Sequence, residues 1–316
     1  MEIQPCRDRG MGTRPGTSRG DGRDRAIPAR PQEEVTPVSR GKPNYGKRDL
    51  SDAKSPAIQS SGSRVAEYFG RLAQSYGDGE YYIRRRAAVV SAIANEIASA
   101  RRIVDLGCGN GRYLYEFRKL APAAAAIGAD FSAEMLAEAR MRNGAETPLI
   151  RADATAAPIR DGAIDIIFAS HVIQFVSDKD ATMRDLARCL APGGAIILTV
   201  GGSGIREALR SFVSEEQWNQ FAGAAFPGRR SNRTARSEEP YRDAMTRAGL
   251  VIEVRDALFT VMWAGIVEWI DLRWGPFMDQ AQRDTATRIL DEMAPQLSSR
   301  SFEIVERLLI GRRALS

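Results

Sequence analysis

The stretch V104-D-L-G-C-G-N-G-R112 places three glycines at alternate positions behind a short apolar run and an aspartate. Glycine loses more backbone entropy on folding than any other residue, so it is costly where no positive φ or close approach requires it. Gly107, Gly109 and Gly111 together imply that something bulky rests against bare main chain.

The flanking sequence supplies the frame for this loop. Short apolar runs recur at 102–106, 125–129, 148–152, 163–169 and 194–200, with helix-like segments between most of them. One is S132-A-E-M-L-A-E-A-R140, with Ser132 as its N-cap candidate. Another is Asp180–Leu190, closed by A191-P-G-G194. Continuous apolar strands alternating with helices predict a parallel sheet covered on both faces, an α/β doubly wound fold. Ahead of the sheet, Val65, Phe69, Leu72, Ala73 and Tyr76 share one helical stripe. A second helix is expected from about Glu80 to Ala100, its apolar positions being Ile83, Ala87, Val90, Ile93 and Ile97. Behind the sheet come a polar loop at 227–240, a helix ending at Gly249, a strand at 250–262, a Trp-rich helical insert at 263–297 and a last strand at 301–310.

In such sheets the ligand crevice lies at the carboxyl ends of the strands, where the strand order reverses. The loop 105–111 leaves the first strand and enters a helix, which puts it in that crevice. A dinucleotide loop reads G-x-G-x-x-G, and that register would require glycine where Arg112 stands. The register is wrong for a nicotinamide cofactor.

The pattern D105-x-G107-x-G109-x-G111 resembles the first motif of class I S-adenosylmethionine-dependent methyltransferases, in particular the small-molecule, type 11-like group. Four further stretches extend the likeness: I127-G-A-D130-F131-S, R151-A-D153-A154, the segment G162-A-I-D-I-I-F-A-S-H-V-I-Q-F-V176, and L190-A-P-G-G194. The resemblance implies a Rossmann-like, seven-stranded, mostly parallel sheet with a helical cap and insert. It implies S-adenosyl-L-methionine as cofactor, with Asp105, Gly107 and Gly109 at its amino-acid end. Asp105 is expected to organise the loop by accepting backbone N–H bonds. Asp130 would hold the ribose hydroxyls with Phe131 beside it, and Asp153 and Ala154 would lie by the adenine. Ser170 follows at the end of the fourth strand, and Tyr76 belongs to the helices that close over the cofactor. The last strand, 301–312, matches the family's final antiparallel strand.

On this reading residues 63–316 form one methyltransferase domain: cap helices at 63–100, a cofactor-binding core at 101–200 and an acceptor-side region at 201–316. Residues 1–62 are rich in Gly, Pro, Ser and Arg without hydrophobic period, and are read as a disordered basic tail. The first 60 residues carry 12 basic and 8 acidic side chains, whereas the other 33 and 32 nearly cancel. The near-neutral body lacks a phosphate-tracking stripe, which argues against a nucleic-acid acceptor. No apolar run approaches the roughly 18–20 residues that cross a bilayer. Three scattered cysteines and a single histidine suit neither a disulfide framework nor a metal site, and point to the cytoplasm.

An activated methyl group leaves the protein mainly to align partners and exclude water, with a base needed only where the acceptor must lose a proton. His171, just past the fourth strand, is the candidate base or a pocket residue. Tyr81 and Tyr82 are expected near the cofactor's open side, and Arg273 is a candidate partner for an acidic group. The tryptophans of the insert suggest a partly apolar small-molecule acceptor. The rival readings are an RNA or protein methyltransferase and a module that holds the cofactor without using it.

Overall fold

The structure is a computed structural model that describes residues 69–201, 209, 212–225, 238–275 and 278–315. The expected tail at 1–62, the residues 63–68 and most of the polar loop 227–240 lie outside the described residues.

Two helices lead in, α1 (Glu80–Ala92) and α2 (Ala94–Ser99). The sheet strands are β1 (Arg102–Leu106), β2 (Ala125–Asp130), β3 (Leu149–Arg151), β4 (Ile164–Ser170), β5 (Leu190–Thr199), β6 (Val251–Met262) and β7 (Ser301–Arg312). Helices α3 (Arg112–Leu120), α4 (Ala133–Asn143) and α5 (Lys179–Cys189) connect the first five strands. Helices α6 (Glu215–Ala225) and α7 (Glu239–Arg247) precede β6, and α8 (Trp263–Trp274) and α9 (Gln280–Leu297) form the insert before β7.

The strands lie in the order β3-β2-β1-β4-β5-β7-β6. β7 runs antiparallel to both of its neighbours, and the pairings among β1 to β5 are parallel. The order reverses between β1 and β4, so a crevice opens beyond the carboxyl ends of those two strands. Side chains alternate across the sheet. Val104, Leu106, Ile167 and Leu198 enter a core with α5 and α7, whereas Ile103, Ile166, Phe168 and Ile197 enter one with α1, α2 and α3. Burying a side chain such as Phe168, which is fully enclosed, contributes roughly 2–3 kcal/mol. A third core joins the insert and α6 to the ends of β6 and β7 through Trp218, Phe221, Trp263, Ile270, Ile289 and Phe302.

Three expectations need correction. The single helix 80–100 is broken at Ile93, which leaves helical geometry while it and Ile97 stay fully buried. The inner face of α1 is not the apolar stripe, because Ile83 and Ala87 are exposed while Arg85 and Val89 are buried. Arg85 turns inward because its ionic partner lies on β7, 221 residues away. The stretch A191-P-G-G194 is not a loop closing a helix but part of β5, where the pairing with β4 jumps from Ile164–Leu190 to Ile166–Ala195.

Candidate active site

All three glycines of the loop after β1 are left-handed, with φ of 68° at Gly107, 53° at Gly109 and 76° at Gly111. A Cβ on Gly107 would stand 2.2 Å from Val172 Cγ2, and one on Gly111 would meet Asn143 Nδ2 at 2.5 Å. These two glycines answer to the protein's own packing. At Gly109 the nearest atom to such a Cβ is Met135 Sδ at 3.7 Å, so only the dihedral and the space beside it call for glycine.

The loop is tied to β2. Gly107 N and Cys108 N donate to Ala129 O at 2.6 and 3.0 Å, and Gly109 N donates to Asp130 Oδ2 at 2.8 Å. Asp130 Oδ1 accepts from Ser132 N, while Ser132 Oγ caps α4 by accepting from Met135 N. Burial raises the Asp130 carboxyl, and the amides of Ser132, Gly109 and Phe131 draw it back. The loop amide therefore goes to Asp130 rather than to Asp105. Asp105 is bonded by the Leu114 amide in the first turn of α3, and its Oδ2 is buried with no hydrogen-bond partner. Burial, with the charge of Asp130 nearby, pushes the Asp105 carboxyl up to about 8. A buried acceptor without a donor is expensive, which marks the crevice as built for a cationic or hydrogen-donating group.

The chain before α1 is strapped onto this loop. Asn110 Nδ2 donates to Ala73 O at 2.9 Å and Tyr76 O at 2.7 Å, and Arg112 reaches Tyr76 O and Asp78. Tyr76 thus meets the loop through its carbonyl, while its ring packs against Phe69 at 5.5 Å and Tyr82 at 5.6 Å. Phe69 lies 5.6 Å from Phe175 and beneath the Arg273 guanidinium, with 5.9 Å from Cζ to the ring centre. Burial lowers Arg273 to about 10. Tyr81 joins Phe259 and Trp269 at 5.4 and 5.3 Å. The aromatics of the first helices and of the insert thus form one cluster.

Asp153 is exposed, and its Oδ1 accepts from the amide and hydroxyl of Thr155, which orders its own turn. Ala154 packs against the core on that side, and the Phe131 carbonyl accepts from Arg151. At the end of β4, Ser170 and His171 belong to a buried network absent from the sequence reading. Arg85 Nε donates to Glu306 Oε2 at 2.8 Å, and Arg85 Nη2 donates to Ser170 Oγ and Thr199 Oγ1 at 3.0 and 3.1 Å. His171 Nε2 lies 3.1 Å from Glu306 Oε1, which also accepts from Gly201 N. Burial alone would raise the Glu306 carboxyl, yet Arg85 and His171 hold it well below the usual carboxylate range. His171 has φ 56°, the one positive value among the described non-glycine residues. Neither Arg85 nor Glu306 carries a local signal, because a charged residue on a helix or strand reads as surface.

A methyltransferase-domain family model matches residues 104–198. The chain is 32% identical over 206 residues to a trans-aconitate 2-methyltransferase from Acidovorax ebreus, covering 62% of this chain and 77% of the relative. The protein belongs to the class I S-adenosylmethionine-dependent methyltransferases. A malonyl-[acyl-carrier protein] O-methyltransferase from Legionella pneumophila is 36% identical over 124 residues, 39% of this chain and 43% of the relative. A demethylmenaquinone methyltransferase from Thermus thermophilus is 36% identical over 139 residues, 43% of this chain and 62% of the relative. The alignments to these two thus span less than two thirds of the relatives' lengths. Among solved structures, the [4+2]-cyclase SpnF superposes with a TM-score of 0.52 at 17% identity, over 81% of this methyltransferase and 97% of that chain. Among the described residues no helix is long and apolar enough to cross a membrane.

Proposed function

We propose that this methyltransferase transfers the methyl group of S-adenosylmethionine to a small-molecule acceptor held under its aromatic cluster. The observation that carries the reading is the pairing of a left-handed glycine loop with Asp105, whose buried Oδ2 lacks a donor, at the sheet's reversal point. The residues fit the cofactor: Gly109 gives it bare main chain with Gly107 turning the loop beside it, Asp105 faces its amino-acid end and Asp130 the ribose hydroxyls. Phe131, Asp153 and Ala154 flank the adenine, and Tyr76 and Ser170 bound the methyl side. The bound cofactor supplies an electrophilic methyl carbon on a sulfonium, and when the acceptor's lone pair forms the new bond the electrons of the C–S bond remain on sulfur. The chain's own task is to hold the acceptor in line and keep water out.

The relatives' names point to trans-aconitate, malonyl-[acyl-carrier protein] and demethylmenaquinone as their acceptors. The cluster of Phe69, Tyr76, Tyr82 and Phe175 suits a partly apolar one. Calorimetry with S-adenosylmethionine, followed by a methyl-transfer assay on acceptors of these types, tests the proposal. Binding with turnover is the expected result, and binding without turnover on any acceptor would replace it with a cofactor-holding module.

A further inference from the structure

The two edges of the sheet are built differently. β3 offers only three residues, Leu149–Arg151, so a further strand would gain little by adding to it. β6 closes the other side with twelve, Val251–Met262, and among the described residues no strand pairs with its outer edge. The devices that commonly keep such an edge from pairing are absent from it. Its register with β7 runs unbroken from Val251–Arg312 to Met262–Ser301, so no bulge turns it away, and it holds neither proline nor lysine. Its charges are matched within the chain, Asp256 by Arg307 and Arg255 by Glu253 and Glu96. The faces of β6 differ too. Ala257, Phe259 and Val261 are buried, whereas Val254, Asp256, Leu258, Thr260 and Met262 on the opposite face are all exposed. The three apolar side chains of that row leave 42%, 55% and 41% of their surface open.

Outward from Leu258 the exposed row is symmetric in character: polar Asp256 and Thr260 flank it, then apolar Val254 and Met262. We infer that the protein forms a two-fold dimer in which β6 pairs antiparallel with β6 of a second copy about Leu258, joining two seven-stranded sheets into one. In that register Leu258 stands opposite the partner's Leu258, Val254 opposite the partner's Met262, and Asp256 opposite the partner's Thr260, whose hydroxyl can donate to the carboxylate. Other registers match worse. Moving the centre by one residue sets Leu258 against Asp256 or Thr260. Moving it by two sets Asp256 against its own copy, a repulsive pair, or leaves only 258–262 paired. Residues opposed across an antiparallel pair point to the same side, so the two exposed rows merge into a single apolar strip. Each contact occurs twice, and the assembly closes at two chains. Phe259, next to the axis, packs on Tyr81, so the dimer would brace the strand that carries part of the aromatic cluster.

Sedimentation of the full-length chain at micromolar concentration should give twice the monomer mass. Leu258→Lys sets two like charges on the axis and should weaken the dimer by about tenfold or more, while circular dichroism shows an intact fold. A second variant decides the matter if that one does not fold. In a Cys6→Ser background, with Cys108 and Cys189 buried, Leu258→Cys should cross-link to its copy under mild oxidation. Opposed residues of an antiparallel pair hold their Cα atoms about 4.5–5.5 Å apart, within disulfide range. Thr260→Cys should not cross-link, because its two copies would stand about 13 Å apart, four residues along the strand. A wild type that sediments as a monomer, a dimer indifferent to a folded Leu258→Lys, or cross-linking through Thr260→Cys instead of Leu258→Cys would overturn the inference.

Discussion

Two carboxyl groups, Asp105 at the glycine loop and Glu306 on β7, are almost equally enclosed, at 1% and 3% exposed. Their protons behave oppositely. Burial pushes Asp105 up to about 8, and its neighbour Asp130 adds to the effect. The same burial acts on Glu306, but Arg85 and His171 outweigh it and keep the group ionised. Burial therefore does not decide the charge of a site; the partner does. The Glu306 region has its cation built in and is electrostatically complete, whereas the Asp105 region sets two carboxyls together around an orphaned oxygen, so that Asp105 holds its proton until a cation arrives to favour the ionised form.

Breaking the complete region should cost most. Glu306→Leu leaves Arg85 buried and unpaired, and we expect a loss of about 3–5 kcal/mol in urea denaturation. The double variant Arg85→Met/Glu306→Leu should recover most of it, and failure to recover would mean the pair itself supplies net stability. In the loop region, Gly107→Ala drives a Cβ to 2.2 Å from Val172 at a positive φ and should cost about 2–3 kcal/mol. Gly162→Ala, at φ 63° with nothing within 4 Å, should cost only about 1 kcal/mol in the same assay.

Asp130→Ala removes the acceptor of the Gly109 amide and the proposed ribose ligand, and should weaken S-adenosylmethionine binding at least tenfold, about 1.4 kcal/mol by calorimetry. Unchanged affinity would withdraw the ribose assignment. A last effect concerns pH. Folded Asp105 keeps a proton to about pH 8 that an ordinary aspartate loses near 3.8, so it contributes stability at low pH that fades as pH rises through that window. Asp105→Asn has no proton to lose, and its melting temperature without cofactor should gain on the wild type by about 8 °C as pH goes from 5 to above 8. A gap independent of pH would show that Asp105 does not titrate there.

How much of this was legible follows the distance over which each signal acts. The glycines, the strand ends of β1 and β2 and the Ser132 cap are written in a few consecutive residues, since φ preference and capping are local. The break at Ile93 and the inward turn of Arg85 are not, because both answer to packing against strands that follow in the chain. Asp153 was legible only as a motif position, and the fold adds that its Oδ1 already accepts from Thr155 within its own turn.

Sequence alone determined the alternation of strand and helix, the register of the glycine loop and the carboxyl at the end of β2, since each depends on side-chain period and backbone freedom within one short segment. Only the folded chain decided which carboxylate bonds the loop and which charged residues are inside. The insertion of β7 between β5 and β6 brings Glu306 onto Arg85 and His171, and a buried charge becomes tolerable only when a remote segment delivers its counter-charge.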